Sequence, residues 1–162
     1  MIIKKINFII ILILFIMNNK IPTKNISNNN IDNNNYLIIE KINLKLPFYS
    51  INSENNTIDK NIELLKESIM PDKNNSIIFI AAHSGEGEIA YFNNLIDLDL
   101  NDELIIYYKN NYYKYKIIEI YEESKNGYID VDRNIEDQLV LTTCHPYKKN
   151  KQLVINAIKK RY

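Results

Sequence analysis

The stretch LVLTTCHPY, from Leu139 to Tyr147, contains the single cysteine of the chain, Cys144, followed directly by His145. The apolar run before the cysteine predicts a buried strand, which Pro146 ends. A cysteine at the end of such a strand is either a small buried residue or a nucleophile that a rigid framework holds beside its substrate. The residue types alone leave both interpretations open.

A second apolar run, SIIFIAAH from Ser76, ends in His83, one of two histidines in the chain. Histidine can stabilise a thiolate or protonate a leaving amine. The alternative for His83 is a loop histidine held by hydrogen bonds. His145 is the weaker partner for Cys144, because adjacent strand residues point to opposite faces. We expect His145 to shape the turn with Pro146.

Composition narrows the function classes. The 162 residues are 46% hydrophobic, enough for one domain with a core. Formal net charge is zero, so no global field favours nucleic acid, and no nucleic-acid partner is expected. One cysteine excludes an internal disulfide and any Cys₂ or Cys₄ zinc site. We therefore expect no metal site and no cofactor.

The first 19 residues predict a signal anchor. A short basic segment precedes an apolar run from residue 6 to residue 17, shorter than the roughly 20 residues of a comfortable span but typical of a signal. No small-residue cleavage site follows, which favours an uncleaved anchor. The alternative, a buried helix of the domain, is disfavoured because the run is apolar on every face and a polar stretch follows it. Residues 20–35 predict a disordered Asn-rich tether, and residues 36–162 the folded domain. The expected location is the cell membrane, single-pass, with the C-terminal domain extracellular.

Short strands dominate the domain. ELIIYY and YYKYKIIEIYE, on either side of KNN, predict a hairpin, and QLVLTTC and QLVINAI predict two more strands. In the second hairpin strand, Tyr113, Tyr115 and Ile117 should share one face, with Glu119 continuing it. Alternation in KINLKLPF predicts another half-buried strand.

Helical signals are few. Four apolar residues have helical spacing behind a Thr57 N-cap and before Pro71: Ile58, Ile62, Leu65 and Ile69. AYFNNL, residues 90–95, predicts a short helical turn. One or two short helices among many strands indicate a mostly antiparallel β-barrel or sandwich.

LVLTTCHPY resembles the Thr-Leu-x-Thr-Cys motif of the sortases, with Val140 where the first threonine usually stands. FIAAHSG (Phe79 to Gly85) and the following AYFNNLIDLDLNDELIIYY are similar to the histidine segment of that family, and KINLKLPF looks like its first strand. The resemblance covers about Tyr36 to Tyr162 in order. It implies a closed β-barrel of about eight strands and a membrane-anchored cysteine transpeptidase.

The resemblance also implies the chemistry. Cys144 would cleave a C-terminal sorting signal of the Leu-Pro-x-Thr-Gly type to a thioester, with His83 as general acid and base. An amine from a peptidoglycan precursor or a pilin lysine would resolve the thioester. The implied partners are surface proteins that carry the signal and the amine acceptor. Thr143 and Ala82, beside the two catalytic residues, would contact substrate.

One position departs from the family, which carries a catalytic arginine on its last strand. Here KKNKQLVIN places Gln152 there, beside Lys151. Glutamine can donate a neutral hydrogen bond but lacks the charge and fork of guanidinium. Arg133 is another cation and is interpreted as a surface charge. It lies in the loop from 124 to 136, which we expect to set substrate specificity.

Two alternatives stay open. The chain could be a catalytically impaired sortase-like barrel that binds an envelope protein, with Gln152 marking the lost activity. It could also be another cell-wall cysteine transpeptidase. L,D-transpeptidases share the order of histidine before cysteine, but their Ser-His-Gly-Cys setting is absent here. Papain-like peptidoglycan hydrolases reverse that order.

Overall fold

The computed structural model describes residues 35–161, and their strands form one sheet. The strands are β1 Asn35–Ile39, β2 Leu44–Phe48, β3 Glu63–Leu64, β4 Ile77–Ala81, β5 Glu103–Tyr108, β6 Asn111–Ser124, β7 Gln138–Cys144 and β8 Lys151–Lys159. Their order in the sheet is β2-β1-β5-β6-β8-β7-β4-β3. The only helical elements among the described residues are two 3₁₀ turns, Glu40–Ile42 and Asn93–Asp97.

The two edges of the sheet approach each other, so the barrel is nearly closed. The Asn61 Nδ2 group, just before β3, donates to the Pro47 carbonyl of β2 at 2.9 Å. Every ladder is antiparallel except β4–β7. The prediction of a mainly β, eight-stranded barrel with few helices is confirmed.

Strand alternation divides β4, β7 and β8 between two faces. Residues such as Ile80, Leu141 and Ile155 belong to the main core inside the barrel. The alternate residues Phe79, Val140 and Val154 form a second buried cluster on the outer face. Ile129 and Val131 of the β6–β7 loop pack on that cluster. An apolar layer therefore holds the loop against the outer face.

β4 and β7 are parallel neighbours, and their pairing runs from Ile77 with Gln138 to Ala81 with Thr142. The ladder continues one step further, since the Ala82 amide donates to the Thr142 carbonyl at 3.3 Å. Because parallel strands end at the same edge of a sheet, the residues that follow β4 and those that end β7 meet there.

The long strand β6 changes face at a β-bulge. Its pairing with β8 shifts between Ile117 and Glu119. Before the bulge, Tyr115 and Ile117 point into the core, and after it Ile120 packs there. The extra residue of a bulge moves later side chains to the other face. Glu119 therefore does not share the face of Ile117, contrary to the prediction, and Tyr121 joins the outer cluster.

The helix predicted over residues 58–69 is wrong. That segment contains turns and the short strand β3. The Asn56 side chain pairs with the Leu64 backbone in both directions, at 2.8 and 2.9 Å, and so takes the place of a neighbouring strand. Ile62 and Leu64 are core residues, whereas Ile69 is 46% exposed. Tertiary pairing overrides the helical spacing.

The strand predicted from KINLKLPF is shorter, Leu44–Phe48, and it is the second strand along the chain, not the first. Glu40–Ile42 forms a 3₁₀ turn that ends at Asn43 in the left-handed conformation, φ 52°. The short helical turn predicted at residues 90–95 is present as the 3₁₀ turn Asn93–Asp97.

The predicted signal anchor lies outside the described residues, and so does the predicted tether up to residue 34. Its last residue, Asn35, is the first residue of β1. From residue 35 to residue 161, the chain has no helix with the length and apolar character needed to cross a bilayer.

Candidate active site

The end of the β4–β7 ladder brings His83 and Cys144 together. Extending the register by two residues places His83 beside Cys144. The next residue, Ser84, donates its hydroxyl to the Cys144 carbonyl. Alternation puts Cys144 on the same outer face as Val140. The cysteine is half-buried and its thiol is free, while 39% of the His83 side chain is exposed. Both are open to a substrate.

A lysine contacts the cysteine sulfur. The Lys125 Nζ group lies 3.0 Å from Cys144 Sγ. Lys125 follows β6 directly, and its backbone amide donates to the Asn150 carbonyl at 3.0 Å. That bond holds the start of the β6–β7 loop against the β7–β8 turn. The sequence carries no signal for this role of Lys125, because nothing in a polar loop 19 positions before the cysteine distinguishes one lysine from another.

His83 has a carboxylate neighbour. Its Nε2 atom is 3.5 Å from Asp59 Oδ1, and Asp59 lies in the turn region before β3. The His83 carbonyl accepts a hydrogen bond from the Phe92 amide at 3.0 Å, which fixes the backbone beyond β4. Asp59 is 83% exposed, so solvent screens the attraction between its carboxylate and the ring. Asp59 was also missed from the sequence.

His145 is buried in the β7–β8 turn. Its Nδ1 atom accepts hydrogen bonds from the Tyr147 and Lys148 amides, each at 3.1 Å. Nε2 therefore carries the proton and donates to Glu122 at 3.0 Å. Lys148 hydrogen bonds to Glu122 and lowers the pKa of that carboxyl. The turn-shaping role expected for His145 is what the structure shows.

Gln152 is directly opposite Cys144 in the β7–β8 ladder. Its Nε2 group donates to Glu123 Oε1 and to the Tyr128 carbonyl, both at 2.7 Å. A primary amide has two N–H bonds, and both are used inside the protein. Gln152 is thus a direct neighbour of Cys144, but its donors hold the β6–β7 loop. Lys151 pairs with Ser124 in the adjacent ladder position and so belongs to the opposite face.

Thr143 and Ala82 do not face the site with their side chains. Thr143 is 4% exposed and Ala82 is 2% exposed. The Thr143 hydroxyl donates to the Ala82 carbonyl at 2.8 Å, which joins β7 to the end of β4. Their contact with substrate stays a prediction, and it would have to use their backbone groups. They connect the strands that carry Cys144 and His83.

The β6–β7 loop forms one wall of a groove on the outer face of the barrel. The groove has a volume of about 280 Å³, and Phe79, Tyr128, Ile129 and Arg133 are among its lining residues. The Tyr121 hydroxyl donates to the Asp130 carbonyl of the loop. Burial raises the pKa of Tyr121 to about 12, so the hydroxyl stays protonated and continues to donate.

Among residues 35–161, no three His, Cys, Asp or Glu side chains are grouped closely enough to hold a metal ion. The groups at the outer end of β7 are a thiol, an imidazole and an ammonium. Such a set suits nucleophilic attack by sulfur, proton delivery to a leaving group, and charge stabilisation.

A family model described as a sortase domain matches residues 37–160. Among solved structures, sortase C1 of Streptococcus agalactiae is 25% identical with a TM-score of 0.68, and the match covers 84% of this chain and 72% of that one. Sortase A of Corynebacterium diphtheriae is 25% identical with a TM-score of 0.64, and the match covers 79% and 60%. A structure of sortase C1 of GBS pilus island 1 is 22% identical with a TM-score of 0.65, which shows the fold, and the match covers 79% of this chain and 64% of that one. No curated protein sequence matches the chain.

Proposed function

The chain belongs to the sortase family, and from that premise we propose that it is a cysteine transpeptidase with Cys144 as nucleophile and His83 as general acid and base. The observation that carries the proposal is the shared end of β4 and β7, where the Ser84 hydroxyl reaches the Cys144 carbonyl. The two reactive side chains leave the sheet together from a rigid framework, which favours precise positioning.

The proposed reaction has two halves. The Cys144 thiolate attacks the carbonyl carbon of the scissile peptide, and the tetrahedral oxyanion collapses as the C–N bond breaks. His83 gives its proton to the departing amine, which leaves a thioester and a neutral imidazole. A second amine then attacks the thioester and passes a proton to His83, and the C–S bond breaks to regenerate the thiolate.

We place the substrate in the groove under the β6–β7 loop. Its apolar lining, from Phe79 and Ile129, suits an extended peptide with aliphatic side chains, and Arg133 lies at the same groove. A sorting signal of the Leu-Pro-x-Thr-Gly type fits that chemistry. The loop wall explains why this segment would set specificity among signals.

The acceptor and the location are further parts of the proposal. A pilin or peptidoglycan amine would resolve the thioester. A structure of sortase C from Streptococcus pneumoniae is described in terms of catalysis and pilin substrate specificity, at 24% identity and a TM-score of 0.67. Residues 1–19 would anchor the enzyme in the cell membrane, with residues 36–162 outside the cell. The support is the basic and then apolar pattern of that segment.

A panel of fluorogenic peptides of the Leu-Pro-x-Thr-Gly type tests the activity on the full-length chain in detergent. We expect cleavage of at least one peptide and, by mass spectrometry, an acyl adduct on Cys144. An added amine should convert hydrolysis product into transpeptidation product. If no peptide is cleaved and no adduct forms, the transpeptidase proposal is wrong.

One observation favours a second function. Both N–H bonds of Gln152 are used within the protein, so the side chain at the family's arginine position offers none to an oxyanion. A barrel without that donor could bind an envelope protein without cleaving it. The same peptide panel decides, because this alternative predicts saturable peptide binding, measured by fluorescence anisotropy, without product or adduct.

A further inference from the structure

We propose that Lys125 is the catalytic cation of this enzyme and supplies the positive charge that Gln152 cannot. Its ammonium would stabilise the Cys144 thiolate and then the oxyanion that forms on attack. The inference rests on the proposed transpeptidase function and adds a residue to its site.

The contact is direct. Lys125 Nζ lies 3.0 Å from Cys144 Sγ, within the distance at which an ammonium pairs with a thiolate. The lysine backbone is fixed by its bond to the Asn150 carbonyl in the turn after β7. Lys125 also lies two positions beyond Glu123, whose partner in the β6–β8 ladder is Gln152. The side chain therefore starts from the same outer face as the cysteine.

The other cations of the region are less suited. Lys151 belongs to the opposite face of β8 from Gln152. Arg133 lies at the groove beside Phe79, and Phe79 pairs with Val140, four residues before Cys144. At about 3.3 Å per residue, that is roughly 13 Å along the strand. Lys125, by contrast, places its ammonium group at hydrogen-bond distance from the sulfur.

Glu123 is in the same row of the sheet as Cys144, with Gln152 between them. Glu123 accepts from Gln152, so a neutral amide stands between that carboxylate and Cys144 in the ladder. Electrostatic stabilisation by Lys125 needs no proton transfer. Its charge is retained while the C–S bond forms, negative charge moves from sulfur to the carbonyl oxygen, and the C–N bond breaks.

Alkylation of Cys144 by iodoacetamide, a neutral reagent, tests the pairing without any peptide. The full-length chain is compared with three variants. Lys125→Met removes the charge but keeps the apolar stem, Lys125→Arg keeps the charge, and Lys149→Met removes one charge from an exposed position of the β7–β8 turn. Thermal unfolding of each variant shows that folding is preserved.

We expect Lys125→Met to slow alkylation at neutral pH by about five- to tenfold, because an exposed pair is partly screened. Lys125→Arg should retain most of the rate and Lys149→Met all of it. Added salt should slow alkylation of the unaltered protein and leave Lys125→Met nearly unchanged. With a cleaved peptide, Lys125→Met should lower kcat by about 10² or more, in the range of a lost oxyanion donor, and KM should change little.

Alkylation of Lys125→Met within twofold of the unaltered rate, at low salt, would overturn the inference. That outcome leaves the transpeptidase proposal standing if peptides are still cleaved. A salt-dependent loss of alkylation without cleavage of any peptide supports the pairing and removes the proposed reaction. The two failures are therefore distinguishable.

Discussion

Cys144 and Gln152 are direct partners across the β7–β8 ladder, with both side chains on the outer face of the barrel. Directly opposite residues of an antiparallel pair have Cα atoms about 4.5–5.5 Å apart, so any side chain at position 152 is close to the sulfur. Here that side chain donates to Glu123 and to the Tyr128 carbonyl. Gln152 therefore holds the β6–β7 loop, and the side chain that contacts the sulfur is that of Lys125.

Replacement of the nucleophile is the first prediction. Cys144→Ala should abolish peptide cleavage and the acyl adduct, since no other thiol is present in the chain. It should leave thermal stability nearly unchanged, because the thiol is only half-buried. Mass spectrometry after incubation with peptide checks the adduct. Residual turnover by a purified Cys144→Ala protein would contradict the assignment.

The second prediction concerns His83, the proposed general acid. His83→Ala should lower kcat by about 10²–10⁴, the usual contribution of general acid–base catalysis. Asp59→Asn should lower it only severalfold, because its carboxylate is exposed and 3.5 Å from the ring. Steady-state kinetics of both variants gives the comparison. A His83→Ala protein with full activity would remove the proposed acid.

The third concerns the loop anchor. Gln152→Ala should retain a measurable fraction of kcat but raise KM, because it frees the Tyr128 carbonyl and loosens the groove wall. Limited proteolysis should cut the segment from 125 to 137 faster in this variant. Complete loss of kcat, equal to that of Cys144→Ala, would show instead that the Gln152 amide itself serves the reaction.

The fourth compares adjacent threonines. Thr143→Val removes the 2.8 Å bond to the Ala82 carbonyl and should cost about 1–2 kcal/mol of unfolding free energy. Thr142→Val removes a longer bond, 3.3 Å to the Leu153 carbonyl, and should cost less. Urea denaturation measures both. Because Thr143 ties together the strands that carry Cys144 and His83, its variant should also lose more activity.

The fifth is a pH dependence of stability. Hydrogen bonds from Lys160 and Lys114 lower the pKa of Glu103 in the folded state. A carboxyl with a depressed folded pKa stabilises the fold above its unfolded pKa, about 4.3, and this stabilisation is lost as pH falls through the folded value. Glu103→Gln should therefore be less stable than the unaltered protein at neutral pH, with the difference shrinking in acid.

Denaturant midpoints at neutral pH and at the lowest pH that preserves the fold measure that difference. Glu88→Gln is the matched control, since Glu88 is exposed and its replacement also removes one negative charge. If Glu103→Gln is less stable than the unaltered protein by the same amount at both pH values, the expected link between the Glu103 pKa and stability is wrong.

The strands around the site were predictable because their signals are local. The run before Cys144 and the hairpin of residues 103–122 follow simple apolar or alternating patterns, and both are present. The face of Gln152 also follows from alternation. The predicted helix failed because its apolar spacing is satisfied by turns, where Asn56 pairs with the Leu64 backbone. Side-chain pairing of that kind leaves no periodic signal.

The parts of the site that could not be predicted from the sequence depend on contacts between distant segments. The bulge in β6 turns Tyr121 and Glu123 to the outer face. No residue type in that strand predicts the bulge. Lys125 meets Cys144 only because the loop start is bonded to the β7–β8 turn. Asp59 reaches His83 from a segment without regular structure. Each is a contact between elements that the sequence places far apart.

The parallel pairing of β4 with β7 has a consequence for the order of folding. Thr143 and Ala82 are 61 positions apart, whereas β5 and β6 are joined through Lys109 and Asn110, both with positive φ. Local hairpins form in about 1–10 µs, and pairings of high sequence separation must first close a long loop. During refolding, β structure should therefore return before catalytic competence, because competence also needs the β4–β7 ladder, whose partners are far apart in the sequence.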